Sequence, residues 1–428
     1  MRLSAIIFAM ATGIVASAQT WTLDSCINYA VEHNINVRNS ELQSESGRLS
    51  VVQAKDRFLP NLSGYASQSF NFGRGLTANN TYANRNTSSF SVGAQLQLPL
   101  FQGLSAIRNL DYAKANLRAL VEQTEATKDD VALNVTSQYL QALYAAEMVG
   151  VAEENLSISK NELARTRELL EGGKVPELDL YQVEAQVAQD ELTLVNARND
   201  SSIALLDLAQ MLNLPSYEGF AISPLVEEKL TLVPADEVFA NALARNHSMK
   251  AYELQVVAAE KNVSVAKAGY IPQLSFNAGI GTNYYKTSGY DNESFGGQMR
   301  HNFSKSIGFS LQVPLFDAFS TRNNVKRARI NALTAQLQLD DTRMKLYKAI
   351  TQAHAQAIAA MKKYEASQVS VSSTMKALEA MQIKYSNGRA NATELQKAQS
   401  DYTKSLAETV QAKYEADLRI RIVNFYNK

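Results

Sequence analysis

Residue types that usually carry chemistry are sparse in this 428-residue chain, and they are not grouped. The four histidines, His33, His247, His301 and His354, have no metal-ligand spacing, and the single cysteine, Cys26, excludes an intramolecular disulfide and every multi-Cys metal site. Gly279-Ile280-Gly281 starts like a dinucleotide loop, but the third glycine is missing and the segment alternates as a strand does. No G-x-S-x-G, phosphate-binding loop or H-E-x-x-H occurs. These residues predict no enzyme, no metal and no cofactor. With 42 basic side chains against 42 acidic ones, there is no net field to attract a polyphosphate, so a nucleic-acid partner is not expected either.

The function must then lie in the elements. Residues 1–18, MRLSAIIFAMATGIVASA, place one Arg before an apolar run from Leu3 to Val15 and end in Ala16-Ser17-Ala18. This pattern predicts a signal peptide cut before Gln19. No other run approaches the roughly 20 apolar residues of a spanning helix, so a membrane role would rest on strands or on a surface anchor. Cys26 is a poor candidate for lipidation, because Asp24 lies in the triplet before it and the apolar run is well upstream. It reads as a small core residue.

The chain repeats itself. AKDRFLPNLS at 54–63 recurs as AKAGYIPQLS at 266–275, an offset of 212; LQLPLF at 96–101 recurs as LQVPLF at 311–316, an offset of 215 that also places Gly173 over Gly388. Cys26 falls opposite Val238. The reading is a duplication: a first repeat over 19–213, a connector at 214–234 with three prolines, and a second repeat over 235–428.

Four segments alternate with period two, at about 62–72, 90–98, 274–284 and 307–313. Each is near the 9–11 residues with which a tilted strand crosses a bilayer. A soluble two-layer sheet alternates in the same way. Three features favour the membrane. The polar positions are mostly Ser, Gly, Asn and Gln, and the linkers at 73–88 and 285–305 are long and rich in Gly, Asn, Ser and Thr. Aromatics (Phe58, Phe101, Tyr270, Tyr284, Tyr285, Phe316) stand at strand ends. Four strands cannot stay an open sheet in lipid. Two chains would give eight strands, a width normally filled by side chains, whereas these inward residues are small; three chains give twelve strands and a ring about 25 Å across.

From Gly103 to Glu171 there is no proline and one internal glycine, Gly150, which predicts a helix approaching roughly 100 Å. A second is predicted from about Ser320 to Asn387, with Leu333, Leu337, Met344, Tyr347, Ile350, Ala357, Met361 and Tyr364 at coiled-coil steps of three, four or seven. Each reverses at a glycine turn, Gly172-Gly173-Lys174 or Asn387-Gly388-Arg389, into a returning helix. Prolines are expected at the strand–helix junctions: Pro60 and Pro272 before outgoing strands, Pro99 and Pro314 after returning ones.

On the doubled Leu59-Pro60-Asn61-Leu62 and Ile271-Pro272-Gln273-Leu274, the doubled Pro99-Leu100-Phe101 and Pro314-Leu315-Phe316, and the two glycine turns, the chain resembles the TolC family of outer-membrane efflux proteins over nearly all its mature length. The resemblance implies a mixed fold of mainly long α-helices, in which a duplicated helix-strand-strand-helix repeat builds a trimeric twelve-strand outer-membrane β-barrel. A periplasmic α-helical barrel continues it, with a small equatorial region. It implies a homotrimer in outer-membrane lipid whose closed inner end opens on docking a periplasmic adaptor (membrane fusion) protein and an inner-membrane pump of RND, ABC or MFS type. Family gate carboxylates stand six and nine residues after the second turn glycine, at Glu394 and Lys397 here; the first matches in charge and the second does not. Asp179 and Tyr385 are further gate candidates, as a tyrosine-to-carboxylate lock between hairpins; a solvated helix-end acid would read the same way. Gly173, Lys174, Val175 and Gly388, Arg389, Ala390 match the adaptor-facing turns. The competing reading is a periplasmic adaptor or a structural coiled coil without its own pore, which one hairpin would favour; two hairpins with two strand pairs favour a channel. Drugs, metals and proteins all remain open as cargo.

Overall fold

The computed structural model describes residues 20–76, 81–84, 86–225 and 232–427. The expected signal peptide at 1–18 lies outside them, as do residues 226–231 of the connector. The described residues fall into two compact units. One gathers the residues up to Glu41 with Thr124–His247 and those from Arg343 on; the other holds Leu42–Gln123 and Ser248–Thr342.

Helical runs without internal proline become long helices, and their lengths match between the halves. Helices α1 (Leu23–His33) and α2 (Ile35–Asp56) precede the first strands; α3 (Ser105–Glu171) and α4 (Glu177–Met211) follow them. In the second half α5 (Ala235–Arg245) and α6 (His247–Lys267) precede the strands, and α8 (Ser320–Ser386) and α9 (Ala392–Asn427) follow a short α7 (Phe295–His301). Both α3 and α8 have 67 residues. Asn34 and Asn246 end α1 and α5 alike, each donating its backbone N–H at 2.8 Å to the carbonyl of Ala30 or Ala242. Before the long helices the chain twice takes two successive left-handed residues, Gly103-Leu104 and Ala318-Phe319. No described helix is long and apolar enough to cross a membrane.

In the first unit, Leu23, Cys26, Ala30 and Val37 pack with Val135, Tyr139, Leu208 and Leu212 into a core. Cys26 and its counterpart Val238 are both fully buried, and burial pushes the Cys26 thiol up to about 12. The connector joins this unit through a parallel bridge of Trp21 with Ile222, below which the Tyr139 hydroxyl donates to the Ser223 carbonyl at 2.6 Å.

The second unit holds an antiparallel sheet of order β1-β4-β5-β6, made of β1 (Asn61–Asn71), β4 (Thr87–Gln102), β5 (Gln273–Thr287) and β6 (Ser304–Gln312). Strands β2 (Arg74–Leu76) and β3 (Tyr82–Asn84) pair as a separate two-stranded antiparallel sheet. The register keeps like faces together: Tyr65, Gly93, Gly281 and Ser304 form one cross-strand row, and Ala66, Val92 and Thr282 a row on the other face. Pro60 and Pro272 directly precede β1 and β5, and Pro314 follows β6 by two residues. Pro99 corrects the junction expectation. It lies within β4, opposite Ser275, while Phe101 pairs with Leu274, so Leu100 is looped out. The missing N–H of a proline is tolerated within a ladder at such a bulge, and the strand runs on to Gln102.

Candidate functional site

The candidate gate and docking residues lie where the long helices turn, all in the first unit. Both turns are the same motif. In the first, the Lys174 N–H donates to the Leu169 carbonyl at 2.8 Å and the Gly173 N–H to Leu170 at 2.9 Å; in the second, Arg389 donates to Lys384 and Gly388 to Tyr385, both at 2.9 Å. This is a Schellman cap, whose turning residue needs positive φ; Gly173 and Gly388 supply it at 66° and 67°. Lys174 and Arg389 are exposed, with Val175 and Ala390 partly covered.

The returning helices start differently. Pro176 caps α4, with Glu177 and Asp179 in its first turn. Helix α9 begins with a capping box: the Asn391 carbonyl-type side-chain oxygen accepts from the Glu394 N–H at 2.8 Å, and the Glu394 carboxylate accepts from the Asn391 N–H at 3.1 Å. Glu394 and Lys397 are exposed in the single chain. Asp179 and Tyr385, in contrast, are buried and brought near one another. The Tyr385 hydroxyl shares a 3.2 Å hydrogen bond with Thr166 on α3. Burial raises its pKa; the Thr166 bond opposes this, and the Asp179 and Glu162 charges add to it. Tyr385 sits with Leu378, Ala392, Leu395 and Tyr402 in one apolar cluster.

Sequence reasoning missed a buried polar seam on α3. Asn155, Ser159, Glu162 and Thr166 are all buried at spacings of four, three and four, the spacing of core positions in a coiled coil. That spacing is legible and places them on one helix face, but it does not tell whether the face is buried. The Asn155 side-chain oxygen accepts from Thr403 at 2.6 Å and from Gln399 at 3.3 Å, both on α9. From α4, Gln186 donates to the buried Asp190 at 2.8 Å. One oxygen each of Glu162 and Asp190 has no hydrogen-bond partner among the described residues. Burial raises both carboxyl groups above their ordinary range, opposed at Glu162 by Arg165 and at Asp190 by the polar groups of Ser159, Gln186 and Asn155. A cavity of about 20 Å³ bounded by Ser159, Glu162, Gln186, Gln396 and Gln399 has room for one water.

Exposed ion pairs flank the seam, Arg167–Glu184 at 2.9 Å and Arg198–Glu153 at 2.8 Å between α3 and α4. Each is worth about 0–1 kcal/mol at such exposure. Nothing here is arranged for bond-making, and no cluster of three or more metal-ligating side chains occurs among the described residues. Polar groups at core positions weaken helix packing while fixing its register.

A family model described as outer membrane efflux protein matches residues 26–214 and 238–419. The outer membrane protein TolC of Vibrio cholerae is 24% identical over 391 residues, covering 89% of this chain and 85% of that protein. The outer membrane efflux protein BepC of Brucella suis is 22% identical over 400 residues, covering 93% and 83%. The fold is that of the CmeC outer membrane channel of Campylobacter jejuni, at a TM-score of 0.79 and 18% identity over 95% of this chain and 85% of that one.

Proposed function

The chain belongs to the outer membrane efflux protein family, and from that membership we propose that three copies close their sheets into one twelve-strand barrel and enclose a gated helical tunnel. Like its relatives, it is a non-enzymatic efflux channel of the outer membrane that extends into the periplasm. Closure with other copies is supported by one observation, the sheet. Its apolar face is open, with Ile307 at 76% and Leu62 at 71% exposure, and β1 and β6 stand at its edges. Unpaired edge amides are costly in hydrocarbon, so β1 of one copy would pair with β6 of the next until the ring closes. The equal helix lengths and the doubled caps support reading 19–213 and 235–428 as two copies of one repeat, joined by 214–234.

In this reading the turns at Gly173, Lys174, Val175 and Gly388, Arg389, Ala390 dock a periplasmic adaptor, which couples the channel to an inner-membrane pump of RND, ABC or MFS type. Asp179, Tyr385, Glu394 and Lys397 narrow the inner end. Similarity to TolC and BepC supports this assignment. Outer-membrane fractions should yield trimers that dissociate on heating and form pores in planar bilayers. A monomer stable in aqueous buffer that never inserts into liposomes would refute the trimer. Asp179→Ala with Glu394→Ala should raise single-channel conductance; no change would put the gate elsewhere. Lys174→Cys and Arg389→Cys should crosslink to the adaptor, whereas labelling by solvent probes alone would contradict docking.

A further inference from the structure

The polar face of the sheet carries no charged side chain among the described residues. It reads Asn61, Ser63, Tyr65, Ser67, Ser69 and Asn71 on β1 and Thr, Ser, Gly and Gln on β4; β5 and β6 continue with Gln, Ser, Asn and Gly. Lys286 and Lys305 belong to the other face. On this floor of small groups Tyr65 is the one bulky side chain at mid-strand, since Tyr285 stands near the end of β5. Its neighbours in register across β4 and β5 are both glycines, Gly93 and Gly281.

The ring does not stand away from the sheet. A Cβ placed on Gly93 would lie 2.8 Å from the Tyr65 Oη and 2.9 Å from its Cζ, and one placed on Gly281 would lie 3.2 Å from the Oη. Strands are about 4.8 Å apart, so the side chain reaches across β4 to the edge of β5 and lies along the wall. Side chains at both positions would occupy the space the ring now fills.

We propose that Gly93 and Gly281 form a slot that holds the Tyr65 ring flat against the wall, and that this slot keeps the bore of the barrel open. This rests on the reading of the sheet as one third of a pore wall. In a ring about 25 Å across, three rings lying flat leave the lumen open, and three lifted rings narrow it at one level. Gly281 is the better position to test, because at Gly93 a Cβ would also meet the Ile280 backbone carbonyl at 2.6 Å.

The experiment measures the largest polyethylene glycol that enters trimers in planar bilayers from the barrel side. Gly281→Val should shift the cut-off to smaller polymers, Tyr65→Ala alone should leave it unchanged, and the double variant should regain the wild-type value. Gly281→Ala, with a smaller shift in the same direction, serves if the valine chain does not give heat-labile trimers. Equal shifts with and without Tyr65, no shift in either glycine variant, or a larger cut-off in Tyr65→Ala would overturn the proposal. If wild-type chains form no pore at all, the channel reading fails instead, which is a separate result.

Discussion

At the scale of single residues, the informative groups are buried polar ones. Glu162 and Asp190 have carboxyl pKa values raised by burial, so the native state retains protons that the unfolded chain gives up at the same pH. For a group raised in this way, stability is fully present below the unfolded carboxylate range and is lost as pH climbs through the folded value. Amide exchange protection of α3 and α4 near these residues should therefore be greater at pH 4 than at pH 7. Glu162→Gln, which keeps the shape and removes the titration, should flatten its share of that slope; an unchanged slope would show that Glu162 is not its source. Glu394 behaves differently. Its position relative to Gly388 was legible, but its exposed carboxylate is occupied in capping α9. Asn391→Ala should cost about 1 kcal/mol in the same measurement of local stability, through loss of that cap.

At the scale of elements, the two Schellman turns have one requirement each. Gly173→Ala or Gly388→Ala forces a Cβ into left-handed backbone, at a cost of about 1 kcal/mol. Each change should lower exchange protection in the last turn of α3 or α8 and leave the strands untouched; equal loss throughout the chain would mean that the turns are not local devices. Glycine and proline punctuation made the turns readable in the sequence. Pro99 shows where such punctuation misleads: a proline marks a missing donor, and the strand chose to loop out Leu100 and continue. The α3 seam is readable as spacing but not as burial, because an Asn, Ser, Glu or Thr on a long helix usually faces water.

At the scale of the whole molecule, the two faces of the sheet should tolerate the same charge very differently. Ile307→Arg puts a cation on the apolar face and should cost roughly 2–4 kcal/mol per subunit at mid-bilayer, read as loss of trimers from the outer membrane. Ser306→Arg, on the adjacent residue and opposite face, should leave trimers intact and shift ion selectivity toward anions. If both were lost alike, the sheet would not have one face in lipid and one in water.

Sequence periodicity alone determined that the chain is mainly long helices with short alternating strands, and ordered motifs alone pointed to its family. Both are local properties: alternation, helix propensity and turn chemistry act within a few residues and survive in a one-dimensional reading. Which polar side chains would be buried, which proline would sit inside a strand, and that Tyr65 would lie across two glycines depended on tertiary packing. Those facts come from strand register and from the facing surfaces of helices far apart in the chain, and no window of sequence contains both partners.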